Sequence, residues 1–180
     1  MRYTADFLPG RQATRLLDWT LDETSIAWQR ERFSIFGKPC DAPRRLAWCG
    51  DAGVNYRYTG LDHLATGWFA PLVALREKVE RVCGLHFNFL LLNRYDIGQD
   101  HMGWHRDDEH GAAPTIASVS LGQTRRFRHR PRAGVPSAGL DLEHGSLLVF
   151  NGGTQHMLAR TSRNVGTRIN LTFRNIAPGD

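Results

Sequence analysis

The heptapeptide Arg168-Ile169-Asn170-Leu171-Thr172-Phe173-Arg174, RINLTFR, alternates without a break between polar and apolar residues. Successive side chains of an extended chain leave opposite faces, so Ile169, Leu171 and Phe173 share one face and Arg168, Asn170, Thr172 and Arg174 the other. A period of two over seven residues predicts a strand, and its apolar face predicts a sheet with a core behind it. The polar face has two readings: the wet face of an edge strand, or a cavity wall where two guanidinium forks hold a dicarboxylate.

The same period extends back toward the middle of the chain. Strands are predicted near 87–95, 115–122, 125–130, 140–142, 146–150 and 155–160, separated by Gly/Pro-rich turns, with "PRAGVPSAG" (131–139) as an exposed connection. In the first of them Asn93 and Tyr95 share a face at the end of an apolar run. Earlier the period is helical. Ala13, Leu16, Leu17, Thr20 and Leu21 make one face after Pro9-Gly10, and Leu72, Leu75, Val79, Val82 and Cys83 another between Pro71 and a capping Gly84. Helices first and many strands afterwards predict an α+β, mainly β domain whose sheets close into a sandwich or barrel with the helices outside.

The 180 residues suit one domain, and 41% hydrophobic with 23% charged residues argues against disorder. No run approaches the roughly 18 apolar residues of a membrane helix. The N-terminus lacks a secretory signal, so the expected compartment is the cytosol, or the nucleus in a eukaryote. Cys40, Cys49 and Cys83 lack Cys-x-x-Cys spacing, which suits reduced core thiols and leaves the sequon Asn170-Leu171-Thr172 without meaning. A net charge of +5 carried mostly by arginine favours a polyanionic partner. Arg44, Arg45, Arg125, Arg126, Arg128 and Arg130 are candidates to track phosphates, or simply a solvated face.

"MGWHRDDEH" (102–110) supplies the candidate metal ligands. His105 and Asp107 point to one side of an extended segment, and Arg106 to the other. A third ligand must come from His110, His129, His144 or His156, and His156 follows the turn-forming Asn151-Gly152-Gly153. Two histidines and a carboxylate make the facial triad of non-haem iron oxygenases, although the same donors suit a catalytic zinc. Standing alone, the nonamer reads more readily as a solvated turn than as a metal site. Joined to the dicarboxylate face of RINLTFR, the triad points to a site where 2-oxoglutarate chelates a metal.

The ordered pattern Asn93-x-Tyr95, His105-x-Asp107, His156 and Arg168-x-Asn170-x-Thr172-x-Arg174 resembles the AlkB family of Fe(II)/2-oxoglutarate-dependent dioxygenases, as do "PTIASVSLG" and "HGSLLVF". The likeness runs from about residue 33 to the C-terminus and implies a double-stranded β-helix, or jelly roll, with flanking helices. It divides a single 1–180 domain into an N-terminal extension (1–32), a nucleotide-recognition segment (33–60) and a jelly-roll core (86–175). By resemblance His105, Asp107 and His156 bind Fe(II) and are the catalytic residues. Asn93, Tyr95, Arg168, Asn170, Thr172 and Arg174 bind 2-oxoglutarate, with Arg174 on its distal carboxylate, and O2 is the oxidant.

The likeness is greatest to the members that repair alkylated double-stranded DNA. It implies a monomer acting on an extruded base, with single-stranded DNA or RNA as other substrates and no membrane. Phe36, Gly37 and Lys38 match the hairpin that enters the base stack, and Arg44 the DNA contact beside the flipped site. Tyr56, Arg57, Tyr58, Asp108 and Glu109 complete the substrate set. Tyr58 stands where those members carry phenylalanine. The expected activity is oxidative dealkylation of 1-methyladenine- or 3-methylcytosine-type lesions, releasing aldehyde, succinate and CO2. A dioxygenase on RNA, protein or a small molecule, a zinc hydrolase and a non-catalytic nucleic-acid-binding module are the rivals.

Overall fold

The computed structural model describes residues 1–35, 38–58, 60–130 and 134–177, with backbone alone for 33–35 and 38–39. Both predicted helices form. Helix α1 spans Gly10–Leu21 and α2 spans Ala70–Cys83, where Leu72, Leu75 and Val79 are buried. Pro71 sits in the first turn of α2, and Gly84 ends it at φ 66°, a left-handed conformation that lets its N–H reach the Glu80 carbonyl.

The strands run in chain order as β1 (Arg2–Thr4), β2 (Arg32–Ile35), β3 (Lys38–Asp41), β4 (Arg45–Gly50), β5 (Asn55–Tyr58), β6 (Leu61–Leu64) and β7 (Phe89–Tyr95). They continue as β8 (Met102–His105), β9 (Thr115–Gly122), β10 (Arg125–Arg130), β11 (Ala138–Leu142), β12 (Leu147–Asn151), β13 (Gln155–Leu158) and β14 (Arg168–Arg174). A large sheet has the order β1-β12-β9-β14-β7-β4, a small one β11-β10-β13-β8, and β2-β3 and β5-β6 are separate hairpins. All named pairings are antiparallel.

The predicted strands 115–122, 125–130 and 168–174 coincide with β9, β10 and β14, while β7 starts two residues late and β13 ends two residues early. Strands β1 and β4 have no counterpart among the elements predicted from sequence. Three residues of β1 are too few to show a period, and β4 is buried on both faces, which erases alternation. Residues 1–32, expected to be an extension, thereby close one edge of the large sheet through β1 against β12 and pack Ala13 of α1 into the core.

Strand β14 lies between β9 and β7, so the edge-strand alternative for RINLTFR does not hold. Its apolar face joins Leu90, Leu92, Val119 and Leu121 under Leu72, Leu75 and Val79 in the main core. Its polar face looks inward, between the two sheets. No helix among the described residues is long and apolar enough to cross a membrane.

Candidate metal centre and cosubstrate cavity

The register between β8 and β13 sets His156 opposite His105. Asp107 follows just past the end of β8, with His105 Nε2 3.5 Å from its Oδ1 and His156 Nε2 3.4 Å from its Oδ2. Ligand atoms of the three lie within 4.8 Å of one another. Each imidazole sets Nδ1 on a main-chain carbonyl, His105 on Gly103 at 2.8 Å and His156 on Thr154 at 2.7 Å. A carbonyl only accepts, so the ring proton sits on Nδ1 and both Nε2 lone pairs converge on one space. Burial, against the charge of Asp107, lowers the pKa of His105, which favours the neutral form a metal requires. The other candidate ligands lie outside this cluster: His144 accepts from the Gly122 N–H, His110 is exposed, and His129 lies across from His156 on β10.

Asp107 is placed by the turn before β13, where its N–H donates to the Gly152 carbonyl at 2.9 Å. A Cβ on Gly152 would collide with the Asp107 carbonyl oxygen. Gly152→Ala must therefore push Asp107 away, and an Fe(II) affinity reduced by about tenfold or more is expected in a metal titration of the purified variant. Unchanged affinity would refute the placement.

The resemblance puts Arg174 at the far carboxylate of the cosubstrate. The structure places it at the metal end instead, with Nη2 2.9 Å from Asp107 Oδ2 and the guanidinium 4.9 Å over the Tyr56 ring. Burial alone would raise the Asp107 carboxyl, but Arg174, followed by His156 and His105, holds it well below the usual carboxylate range. At the opposite end of β14, Arg168 is 1% exposed, with Nη2 on Ser120 Oγ at 2.9 Å and Nε without a partner. No carboxylate pairs with it among the described residues. Desolvation lowers its pKa to about 10, so it remains a buried cation at neutral pH whose counter-charge is missing. An anion such as a carboxylate of 2-oxoglutarate fits that deficit.

Cross-strand register explains the polar lining. Tyr95 pairs with Arg168, Asn93 with Asn170, and Ser118 with Thr172, all on the inner face of the large sheet. Asn170 donates to Ser118 Oγ at 2.6 Å and accepts from Thr172 at 2.7 Å. These residues line one cavity with His105, Asp107, His156 and Arg174. Leu91, Met102, Ser118, Phe127, Phe150 and Leu158 share it without having been expected there from sequence. Ser118 and Ser120, alternating with apolar residues in "IASVSLG", were the available signal.

The substrate set divides. Tyr58 lines the cavity, but Arg44, expected at the DNA surface, is 4% exposed and faces the same cavity. Its Nε donates to Asn93 Oδ1 at 2.8 Å and its Nη2 to the Tyr58 hydroxyl at 2.9 Å, a bond phenylalanine would not provide. Arg125 is also buried and donates to the carbonyls of Gly98, Asp100 and Ala159, while Arg45 pairs with Asp96. Neither is a free phosphate contact. Arg126, Arg128 and Arg130 remain on the surface. Tyr56 is 1% exposed beneath Arg174, Glu109 is half-buried beside that arginine, Asp108 is exposed, and Arg57 is exposed with Asp62 as its partner. Phe36 and Gly37 lie outside the described residues, as does the Lys38 side chain.

The 2OG-Fe(II) oxygenase superfamily matches residues 1–174. The chain is 44% identical to the mouse DNA oxidative demethylase ALKBH2 over 161 residues, covering 82% of this chain and 67% of the relative. The human protein of that name is 43% identical over 159 residues, covering 81% and 61%. A prolyl hydroxylase from Trichoplax adhaerens superimposes with a TM-score of 0.71 at 12% identity, covering 97% of this chain and 82% of that one, a likeness of fold alone. The match reaches from β1 through β14 and so takes in both sheets and the whole cavity between them: this chain belongs to the 2OG-Fe(II) oxygenase superfamily, in its AlkB branch.

Proposed function

We propose that this chain removes alkyl groups from N-alkylated bases of DNA, acting as a monomer on a base extruded from the duplex in the compartment that holds the DNA. The observation that carries the reading is the single cavity in which the His105, Asp107 and His156 donors face an anion-deficient Arg168. Relatives at 43% and 44% identity, named DNA oxidative demethylases, supply the substrate class. Iron(II) with 2-oxoglutarate and O2 supplies oxidation of an N-linked alkyl carbon, the products being the repaired base, an aldehyde, succinate and CO2.

The chain's own residues do the positioning. His105, Asp107 and His156 hold the iron, and Arg168 with Tyr95 takes the distal carboxylate of 2-oxoglutarate. Because Arg44 occupies Asn93 Oδ1, the Asn93 amide hydrogens are left for a cosubstrate oxygen. Arg174 neutralises Asp107 and, with Asn170 and Thr172, completes the polar wall. Tyr58 and the His105 ring flank the base, and Tyr56, Asp108 and Glu109 lie on the approach to it. Desolvation raises the Tyr58 hydroxyl to about 12, so it enters this chemistry protonated. Leu91, Phe127, Phe150 and Leu158 exclude water from the reacting atoms.

The test is 2-oxoglutarate turnover with Fe(II) on 1-methyladenine in duplex DNA, single-stranded DNA and RNA, with formaldehyde as the readout. Turnover with the duplex preferred is expected, and Phe36→Ala should lower the duplex-to-single-strand ratio about tenfold if Phe36 fills the emptied stack. Formaldehyde from RNA alone, or none from any nucleic acid, would overturn the proposal.

A further inference from the structure

We infer that the buried pair formed by His63 and Glu31 is a positioning device: it locks the β5–β6 hairpin, which carries Tyr56 and Tyr58, to the chain entering the β2–β3 hairpin. His63 on β6 is 1% exposed, and the Glu31 side chain, immediately before β2, is 9% exposed. The imidazole Nδ1 lies 3.0 Å from the Tyr56 carbonyl and Nε2 2.5 Å from Glu31 Oε1. The Tyr56 carbonyl accepts, and so does Glu31 as a carboxylate, so in that ionised pair both ring nitrogens donate and His63 is an imidazolium. The Trp48 ring stands edge-on at 4.6 Å, and the tilted rings of Tyr56 and Tyr58 lie 6.4 and 6.3 Å away. Tyr58 in turn walls the metal cavity.

A neutral His63 has one ring proton for two acceptors. Either the Tyr56 carbonyl or the Glu31 carboxylate would then face a lone pair at contact distance, and the hairpin would shift to relieve it. Among the described residues, Glu31, Tyr56 and Tyr58 are the titratable groups against the ring, and Cys40, Asp41, Arg44 and His101 share a cavity with Glu31. The Arg57–Asp62 pair of the same hairpin is exposed on its outer side. Burial disfavours a charge on His63, but the bond to Glu31 and its charge outweigh burial and raise the imidazole above its ordinary value. The stability of the lock is therefore fully present below the ordinary imidazole pKa and lost as pH rises through the raised one.

The consequence for base binding rests on the proposed function, whereas the positioning itself does not. Imidazole 15N and backbone amide signals are recorded on the full chain, with diamagnetic Zn(II) in place of iron, from about pH 6 to about pH 9. Two protonated ring nitrogens on His63 at neutral pH are expected, and the Tyr56 and Tyr58 amides should move with its titration. In Glu31→Gln that titration falls to lower pH. KM for methylated duplex rises about tenfold at neutral pH, with kcat and DNA-independent 2-oxoglutarate turnover within about twofold of wild type. The wild-type KM should climb to the same level as His63 loses its proton. His63→Gln, which donates from one amide only, should reproduce the KM effect without the pH dependence. A single ring proton on His63 at neutral pH, or amides that ignore its titration, would overturn the lock. Wild-type protein inactive on any DNA would refute the substrate reading and leave the spectroscopic test of the lock intact.

Discussion

Asp107→Ala should yield a protein that neither retains Fe(II) nor releases formaldehyde from methylated DNA above background. The carboxylate is the charged member of the donor set, and two neutral imidazoles bind a divalent cation far more weakly. The substitution also strips Arg174, which is 3% exposed, of its Asp107 partner. Glu109, 3.9 Å away, is then its remaining carboxylate partner, and the weakened pairing of a buried guanidinium costs up to about 3–5 kcal/mol, or at most roughly 6–20 °C of melting temperature for a domain of this size. The two effects separate in the double variant Asp107→Ala/Arg174→Met. There, most of the thermal stability should return, because the under-compensated buried charge has gone, while iron binding and activity stay lost. Equal loss of stability in the single and double variants would contradict the pairing. Iron binding retained by either would contradict the triad.

Arg168→Met should behave in the opposite way toward stability. The wild-type guanidinium is fully buried and has no carboxylate partner among the described residues, and desolvation already depresses its pKa. An apolar side chain of similar reach leaves, among the described residues, the Ser120 hydroxyl and the Leu142 carbonyl to find other partners. The unliganded variant should therefore melt at or above the wild-type temperature. The KM for 2-oxoglutarate should nevertheless rise by about two to three orders of magnitude, since charge-assisted bonds to a buried carboxylate contribute about 3–4 kcal/mol in total. Arg168→Lys should recover only part of that, because an ammonium lacks the planar fork. Calorimetry of the unliganded protein and cosubstrate titration check both halves. A variant that loses stability but keeps its KM would reduce Arg168 to a structural residue.

Much of the fold is legible because it is written in local periods. The RINLTFR alternation survives as β14, and the apolar spacing around Leu72, Leu75 and Val79 survives as α2, since each reports a face buried along one element. The legible part of the site is of the same kind. His105 and Asp107 sit two apart, and the inward polar set of β14 follows from its pleat. Where alternation is silent, the sequence misleads. It names the face on which Arg168 and Arg174 lie but not which of them meets Asp107, and so Arg174 is expected at the far end of the cavity from the place where it lies. Arg44 and Arg125 look like surface cations in a basic chain, yet each is buried by neighbours far along the sequence that supply its acceptors. His63 and Glu31 carry no motif at all.

The chain's local chemistry was therefore enough to specify the two helices, β7 and the strands from β9 to β14, and which donor types are available for a metal and an anion. The meeting of His156 with His105, of Arg174 with Asp107, of Arg44 with Tyr58 and of His63 with Glu31 came from strand order and register. The physical reason is that a side chain's partner and its solvation depend on what the folded sheets bring beside it. Charge, protonation and orientation in the cavity are properties of that desolvated neighbourhood, which no window along the chain contains.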